Sequence, residues 1–362
     1  MEVEAFYKRL PKIELHAHIN GSISTESIEE LLAKNQEKGR PQPDIEALRQ
    51  WKAKVENGEQ MTLDGYREKN IKICFDMFKL IHQLVDNSEA VAIVTRNVIR
   101  EFAEDGVKFL ELRSTPRDVP ETGMTKRSYI EAVLSSIKQC KEEGSDITVR
   151  FLLTIDRGRD LQTAHETVQL AREYQATSDG VVVGIDFSGD PNKNDARQYI
   201  PVLQEARKSG LKLAIHVAEI PNVAENLSLV QLPPDRIGHG TFLQPEVGGS
   251  EELVETVGKL RTPIELCLTS NLVGQTVKSF DIHHFKYWYE RGHPCVICTD
   301  DKGIFATSLS QEYQIAASTF NLTREQMWEL SFGSIACIFA DDETKDRLRN
   351  LWAQERSKLQ SS

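Results

Sequence analysis

No apolar run in this chain of 362 residues approaches the roughly 20 that cross a bilayer. Its opening residues, MEVEAFYKRLPK, lack the apolar core of a secretory leader. A cytoplasmic protein with no membrane partner is expected. A basic surplus is also missing: 44 Lys and Arg stand against 55 Asp and Glu, for a formal charge of −11. Nucleic-acid binding needs a basic stripe, so no nucleic-acid partner is expected. A small anionic ligand is still compatible, because a few local cations outweigh a distant negative surface once salt screens it. The six cysteines, Cys74, Cys140, Cys267, Cys295, Cys298 and Cys337, follow no disulfide spacing and read as reduced core residues. Cys295 and Cys298 follow Pro294 as in one zinc deaminase signature, but the H-x-E of that signature is absent. A monomer is expected.

What the chain does have is eight apolar, β-branched runs. They are Ile13 to His18, Val107 to Thr115, Val149 to Asp156, Val182 to Gly189, Leu211 to Glu219, Ile237 to Gly240, Pro263 to Asn271 and Cys295 to Asp301. Most lack strict alternation, the pattern of parallel strands buried on both faces. Segments of helical period lie between them, such as MTKRSYIEAVLSSIKQCKEEG, TAHETVQLAREYQ and NDARQYIPVLQEARKSG. Alternating strands and helices imply an α/β fold, and eight units favour a closed (β/α)8 TIM barrel. An open doubly wound sheet would need a glycine-rich turn after its first strand, and none follows HAH. Residues 22–106 are too long for a simple crossover. Within them Thr25 to Lys38, Asn70 to Leu84 and Ser88 to Glu104 read as helices, and Arg40 to Gln60 as a surface excursion. The whole stretch is expected to be a helical insertion over the barrel mouth, a lid within a single domain of residues 1–362. Leu309 to Trp352 reads as helical and is expected to close the barrel from outside.

Catalytic groups of such barrels sit where strands end. Here His16 and His18, the Arg113–Arg117 stretch, Asp156, Ser188 and Gly189, His216 and Glu219, His239, Asn271, and Asp300 and Asp301 all fall at strand ends. His16 and His18 are two apart and share a face. With His216 and Asp300 they form an imidazole and carboxylate set suited to one zinc ion. Zinc brings the pKa of bound water from 15.7 to about 7. Glu219 is placed to donate a proton, His239 to orient or deprotonate the water, and Asp300 to accept from it. Asp300 and Asp301 are neighbours and cannot both face inward from a regular strand, so the chain must leave strand geometry there. The fourth run, VVGIDFSG, offers no lysine to bridge two ions, which favours a mononuclear site.

LPKIELHAHINGS, FSGDP, HVAEIPN, RIGHGTF, CLTSN and TDDKGIFATSLSQEY together resemble the adenosine deaminase family of metal-dependent amidohydrolases, from Phe6 to about Ala340. The resemblance implies one zinc per chain on His16, His18, His216 and Asp300, and catalysis by Glu219, His239 and Asp300. Glu219 would protonate purine N1, His239 would support the attacking water, Asp301 would hold N7 and the Gly189 backbone N3. Hydroxide would attack C6 and the amine would leave. The family carries HxHxDG, and this chain has Asn20 in place of that aspartate. A carboxylate about 4 Å from a phosphate charge costs on the order of 4 kcal/mol at an effective dielectric of about 20. Asparagine removes that repulsion, and ELRSTPR supplies hydroxyls and arginine beside the same rim. With IHQL and TDDKG, these features look closest to the adenosine deaminase-like branch, the N6-methyl-AMP deaminases. The similarity implies conversion of N6-methyl-AMP to IMP and methylamine. It implies nucleotide contacts from His18, Asn20, His82, Ser114, Thr115, Pro116, Arg117, Asp156, Gly189 and Asp301. Adenosine or AMP deamination by the same mechanism, and a non-catalytic nucleotide-binding barrel, are the alternatives.

Overall fold

All eight expected runs become strands in a computed structural model, which describes residues 2–57 and 67–360. They are β1 (Lys12–His18), β2 (Val107–Ser114), β3 (Thr148–Asp156), β4 (Val182–Ser188), β5 (Lys212–Val217), β6 (Arg236–His239), β7 (Ile264–Leu266) and β8 (Cys295–Ile297). Each pairs with the next in parallel, in chain order. The ring closes past the last strand, where Ala17 bridges Asp300 and the His18 N–H donates to the Asp300 carbonyl at 3.3 Å. The fold is a (β/α)8 barrel. Along β1, Ile13, Leu15 and Ala17 join the shell packed under the helices. Glu14, His16 and His18 alternate with them and face the interior, as the period of two requires.

Two expected boundaries are corrected. β7 ends at Leu266, and residues Leu268–Val273 form a short helix. Asn271 therefore lies on a helix rather than at a strand end; an apolar run does not by itself separate a buried strand from a buried helical turn. β8 likewise ends at Ile297, three residues before Asp300.

The insertion between β1 and β2 holds helices Thr25–Glu37, Glu46–Glu56, Arg67–Leu84 and Ser88–Glu104. Arg40 to Gln60 is thus not a surface excursion as far as it is described. Ile45, Leu48 and Trp51 are spaced by three and buried, and the Trp51 indole donates to the Ile304 carbonyl at 2.9 Å. The density of charged residues hid that short apolar stripe. Gly58 to Gln60 lie outside the described residues.

Helices Leu309–Phe320, Arg324–Gly333 and Asp342–Gln360 cover the barrel's C-terminal part, as expected. The chain between the last two plugs the bottom of the barrel. Phe339 lies on the Arg236 guanidinium at 3.5 Å from ring centroid to carbon, and its N–H donates to Glu111 at 2.6 Å. All six cysteines are buried and free. Among the described residues no helix is long and apolar enough to cross a membrane.

Candidate active site

At the other end of the barrel three non-glycine residues leave strand geometry for the left-handed region. Ala218 after β5, His239 at the end of β6 and Asp300 after β8 have φ of 57°, 62° and 60°. Left-handed backbone costs a non-glycine residue roughly 1–2 kcal/mol. The turn at Asp300 frees it and Asp301 from strand parity, and both line the same cavity. Two glycines make room. A Cβ on Gly238 would stand 3.0 Å from His16 and 3.3 Å from His216, and one on Gly21 would overlap Asp301.

His16, His216, His239 and Asp300 are all buried, and each offers a donor atom within 4.8 Å of the others. His16 Nε2 lies 3.3 Å from Asp300 Oδ1, and His18 Nε2 3.5 Å from the same oxygen. His239 Nε2 is 3.8 Å from Asp300 Oδ2 and 3.8 Å from Glu219 Oε2. The Ser270 hydroxyl donates to Asp300 Oδ2 at 2.6 Å. The expected ligand His18 thus stands beside the tightest cluster, and His239, expected only to act on water, stands within it.

The fit to a cation rests on three observations. The buried Nε2 of His16 has no hydrogen-bond partner. Among the described residues Asp300 pairs only with imidazoles, never with lysine or arginine. Burial and the Arg113 charge oppose protonation of His16, yet the neighbouring Asp300 and Glu265 carboxylates raise its pKa to about 9. The site draws positive charge to the point where donors converge. Carboxylates behind the imidazoles complete the pattern. Glu265 accepts from His16 Nδ1 at 2.7 Å, and Asp186 lies 3.2 Å from His216 Nδ1. Carboxylates so placed fix the orientation of metal-binding histidines.

Above the cluster the cavity is lined by His18, Asn20, His82, Ser114, Thr115, Asp156, Gly189, Glu219 and Asp301, among others. Burial raises the pKa of Glu219, helped by the charge of Asp300. Burial next to Asp300 and Glu219 raises that of Asp301 well above the carboxylate range. Asn20 Oδ1 and Asp301 Oδ1 are buried without partners. His82 is exposed, on helix Arg67–Leu84.

Two other expected contacts, Pro116 and Arg117, lie elsewhere, while Arg113 and Ser114 line the cavity wall. Arg117 is buried, donates to the Val85 carbonyl, and leaves Nη1 unpartnered. Ser114 is held by the Tyr129 hydroxyl at 2.5 Å. Arg113, read as part of the rim, points into the barrel and bonds Asp186 and Glu265, each at 2.9 Å. Its place on β2 puts it on the inner face, whereas the loop after β2 carries the rim.

Sequence reasoning passed over Asp186, Glu265, Ser270, His283 and the role of Asn271. For Asp186 and Glu265 a signal existed: each is a lone charge inside an apolar run, VVGIDFSG and PIELC. For Ser270, Asn271 and His283 no local pattern marks their partners.

A barrel of this kind, with imidazoles and a carboxylate gathered at its C-terminal mouth, defines a metal-dependent hydrolase. The family model for adenosine deaminase matches residues 11–354. The N6-methyl-AMP deaminase of Danio rerio is 53% identical over 359 residues, 99% of each chain. The crystal structure of the Arabidopsis N6-mAMP deaminase MAPDA matches with a TM-score of 0.83 at 36% identity, over 97% of this chain and 99% of that one. Arabidopsis ADAL complexed with IMP gives 0.84 at 36%, over 97% and 98%. The chain belongs to the adenosine deaminase family, which is metal dependent. It is a hydrolytic deaminase acting on C–N bonds.

Proposed function

We propose that the chain hydrolyses N6-methyl-AMP to IMP and methylamine as a cytoplasmic monomer, with one zinc held by His16, His18, His216 and Asp300. The observation that carries the reading is the pair of acids that line the cavity above the cluster, Glu219 facing His239 at 3.8 Å and Asp301 with an unpartnered buried oxygen; burial raises the pKa of both. A protonated carboxylic acid donates a hydrogen bond, and the N1 and N7 edges of a purine are acceptors. When bound, the ion lowers the pKa of water toward neutrality. Glu219 gives its proton to N1, which makes C6 electrophilic. Asp301 donates to N7 and fixes the ring. Asp300 Oδ2 accepts the proton of the attacking water, and His239 orients that water. Methylamine departs with a proton, leaving the 6-oxo product. The Gly189 backbone faces N3, and Asp156 and His18 line the sugar side.

The monophosphate is supported by Asn20, whose uncharged, unpartnered oxygen lines the cavity, and by His82, Ser114 and Thr115 on the same wall. Arg117 and Arg159 lie close enough to act on the charge of His82. Arg117 and Pro116 would shape this wall from behind. The relatives named as N6-methyl-AMP deaminases point the same way. The insertion of residues 22–106 would be the lid, since Cys74, Phe78 and His82 of its third helix line the cavity. The test is a comparison of kcat/KM for N6-methyl-AMP, AMP, N6-methyladenosine and adenosine, with elemental analysis for zinc. A preference for N6-methyl-AMP and one zinc per chain are expected. Equal turnover of nucleosides would overturn the phosphate reading, and full activity without metal the zinc centre.

A further inference from the structure

The hydrogen bonds behind His239 determine which of its ring nitrogens carries hydrogen. The chain starts at a group with one fixed role. The backbone N–H of Phe285 can only donate, and it donates to Nδ1 of His283 at 3.0 Å. A neutral His283 therefore keeps its hydrogen on Nε2. That nitrogen lies 3.0 Å from Oδ1 of Asn271, an acceptor. The Asn271 amide is thereby oriented, with its NH2 group 3.3 Å from Nδ1 of His239. An amide NH2 only donates, so Nδ1 of His239 accepts, and the neutral ring bears its hydrogen on Nε2. All three side chains are buried. An NH2 donor facing Nδ1 leaves no place for a hydrogen on that nitrogen, so the His239 ring is neutral. From the other side, His284 Nε2 donates to the His239 carbonyl at 2.8 Å and holds its left-handed backbone in place.

We propose that Asn271 and His283 are positioning residues that lock His239 in the Nε2–H form, so that it meets the cavity as a fixed hydrogen-bond donor. The inference deepens the catalytic reading given above and rests on it for the role of the donor. Nε2 faces the gap between Glu219 and Asp300, 3.8 Å from each. A donor there holds the attacking oxygen; it has no lone pair with which to take that oxygen's proton, and the proton falls to Asp300. For the same reason His239 does not ligate the ion, although it stands in the tightest cluster. The fourth ligand is left to His18.

Long-range proton–nitrogen correlation spectra of the 15N-histidine-labelled, zinc-loaded protein test this without turnover, with His239 assigned from its loss in His239→Gln. A pyrrole-type Nε2 and a pyridine-type Nδ1 are expected, and the reverse overturns the proposal. Asn271→Asp replaces the donor by an acceptor, so the hydrogen is expected to move to Nδ1; a folded variant with an unchanged tautomer also overturns it. His239→Gln is expected to keep one zinc per chain, and loss of that zinc contradicts the non-ligand assignment. If Asn271→Asp fails to fold, the wild-type spectrum still decides. The expected tautomer in a protein that turns over no purine would leave the lock standing and remove the proposed function.

Discussion

The upper and lower halves of the barrel interior are both buried and both charged, yet they are built on opposite terms. In the lower half charges satisfy one another, with Arg113 Nε the one atom of the network left over among the described residues. Arg236 bonds Glu265 at 2.6 Å, Glu111, and the Cys337 carbonyl at 3.0 Å, and Phe339 seals the stack. Arg113 ties Glu265 to Asp186, and Asp186 accepts from Thr154 and Ser188 at 2.9 Å each. In the upper half polar atoms are left without partners: His16 Nε2, Asn20 Oδ1 and Asp301 Oδ1. An unpaired buried polar atom costs about 1–3 kcal/mol. The lower half is a foundation and the upper half a binding site, and the partnering of polar atoms, not their number, separates them. Glu265 and Asp186 belong to both, because each also faces a site imidazole.

The comparison breaks most sharply on Glu219. Glu219→Gln should lower kcat by about 10²–10⁴-fold, the usual worth of a positioned general acid. Zinc content and melting temperature should hold, read by steady-state kinetics, elemental analysis and calorimetry. Arg236→Met is its counterpart below. It strands Glu111 in the interior, leaves Glu265 with Arg113 as its one guanidinium, and should cost about 3–5 kcal/mol of stability in denaturant unfolding. If it spared stability and abolished activity alone, the division into foundation and site would be wrong.

A smaller effect is expected at Asn20. Asn20→Asp should reduce kcat/KM for the monophosphate by roughly 10- to 1,000-fold, since screening erodes the on-the-order-of 4 kcal/mol repulsion. The nucleoside should lose less, and an equal loss on both would remove the phosphate from this wall. The mildest test is pH. Glu219 and Asp301 act as donors only while protonated, and burial raises the pKa of both. Activity should therefore fall as pH rises and the two acids ionise. A kcat/KM that climbed steadily into alkali would contradict both roles.

Much of the fold was legible because β-branched runs and helical periods are local patterns. Every strand was found near its place, and a departure from strand geometry at Asp300 was implied by two adjacent acids that both had to reach one site. The stripe of Ile45, Leu48 and Trp51 was masked by surrounding charge, and the helix holding Asn271 by an apolar run that fits strand or helix alike. The chemistry-bearing types at the barrel mouth were legible as well. Their division of labour was not: Arg113 looked like a rim arginine and is part of the foundation, and Arg117 sits behind the cavity wall.

By itself the sequence determined eight parallel strands, a helical insertion after the first, and a stock of imidazoles and carboxylates at one rim. Side-chain alternation and strand ends are properties of a few consecutive residues. Only the closed ring decided that Glu265 meets His16, that Asp186 meets His216, and that Phe339 returns to cap Arg236. Those pairs lie far apart in the chain, and their meeting depends on the stagger and closure of all eight strands, which no single segment encodes.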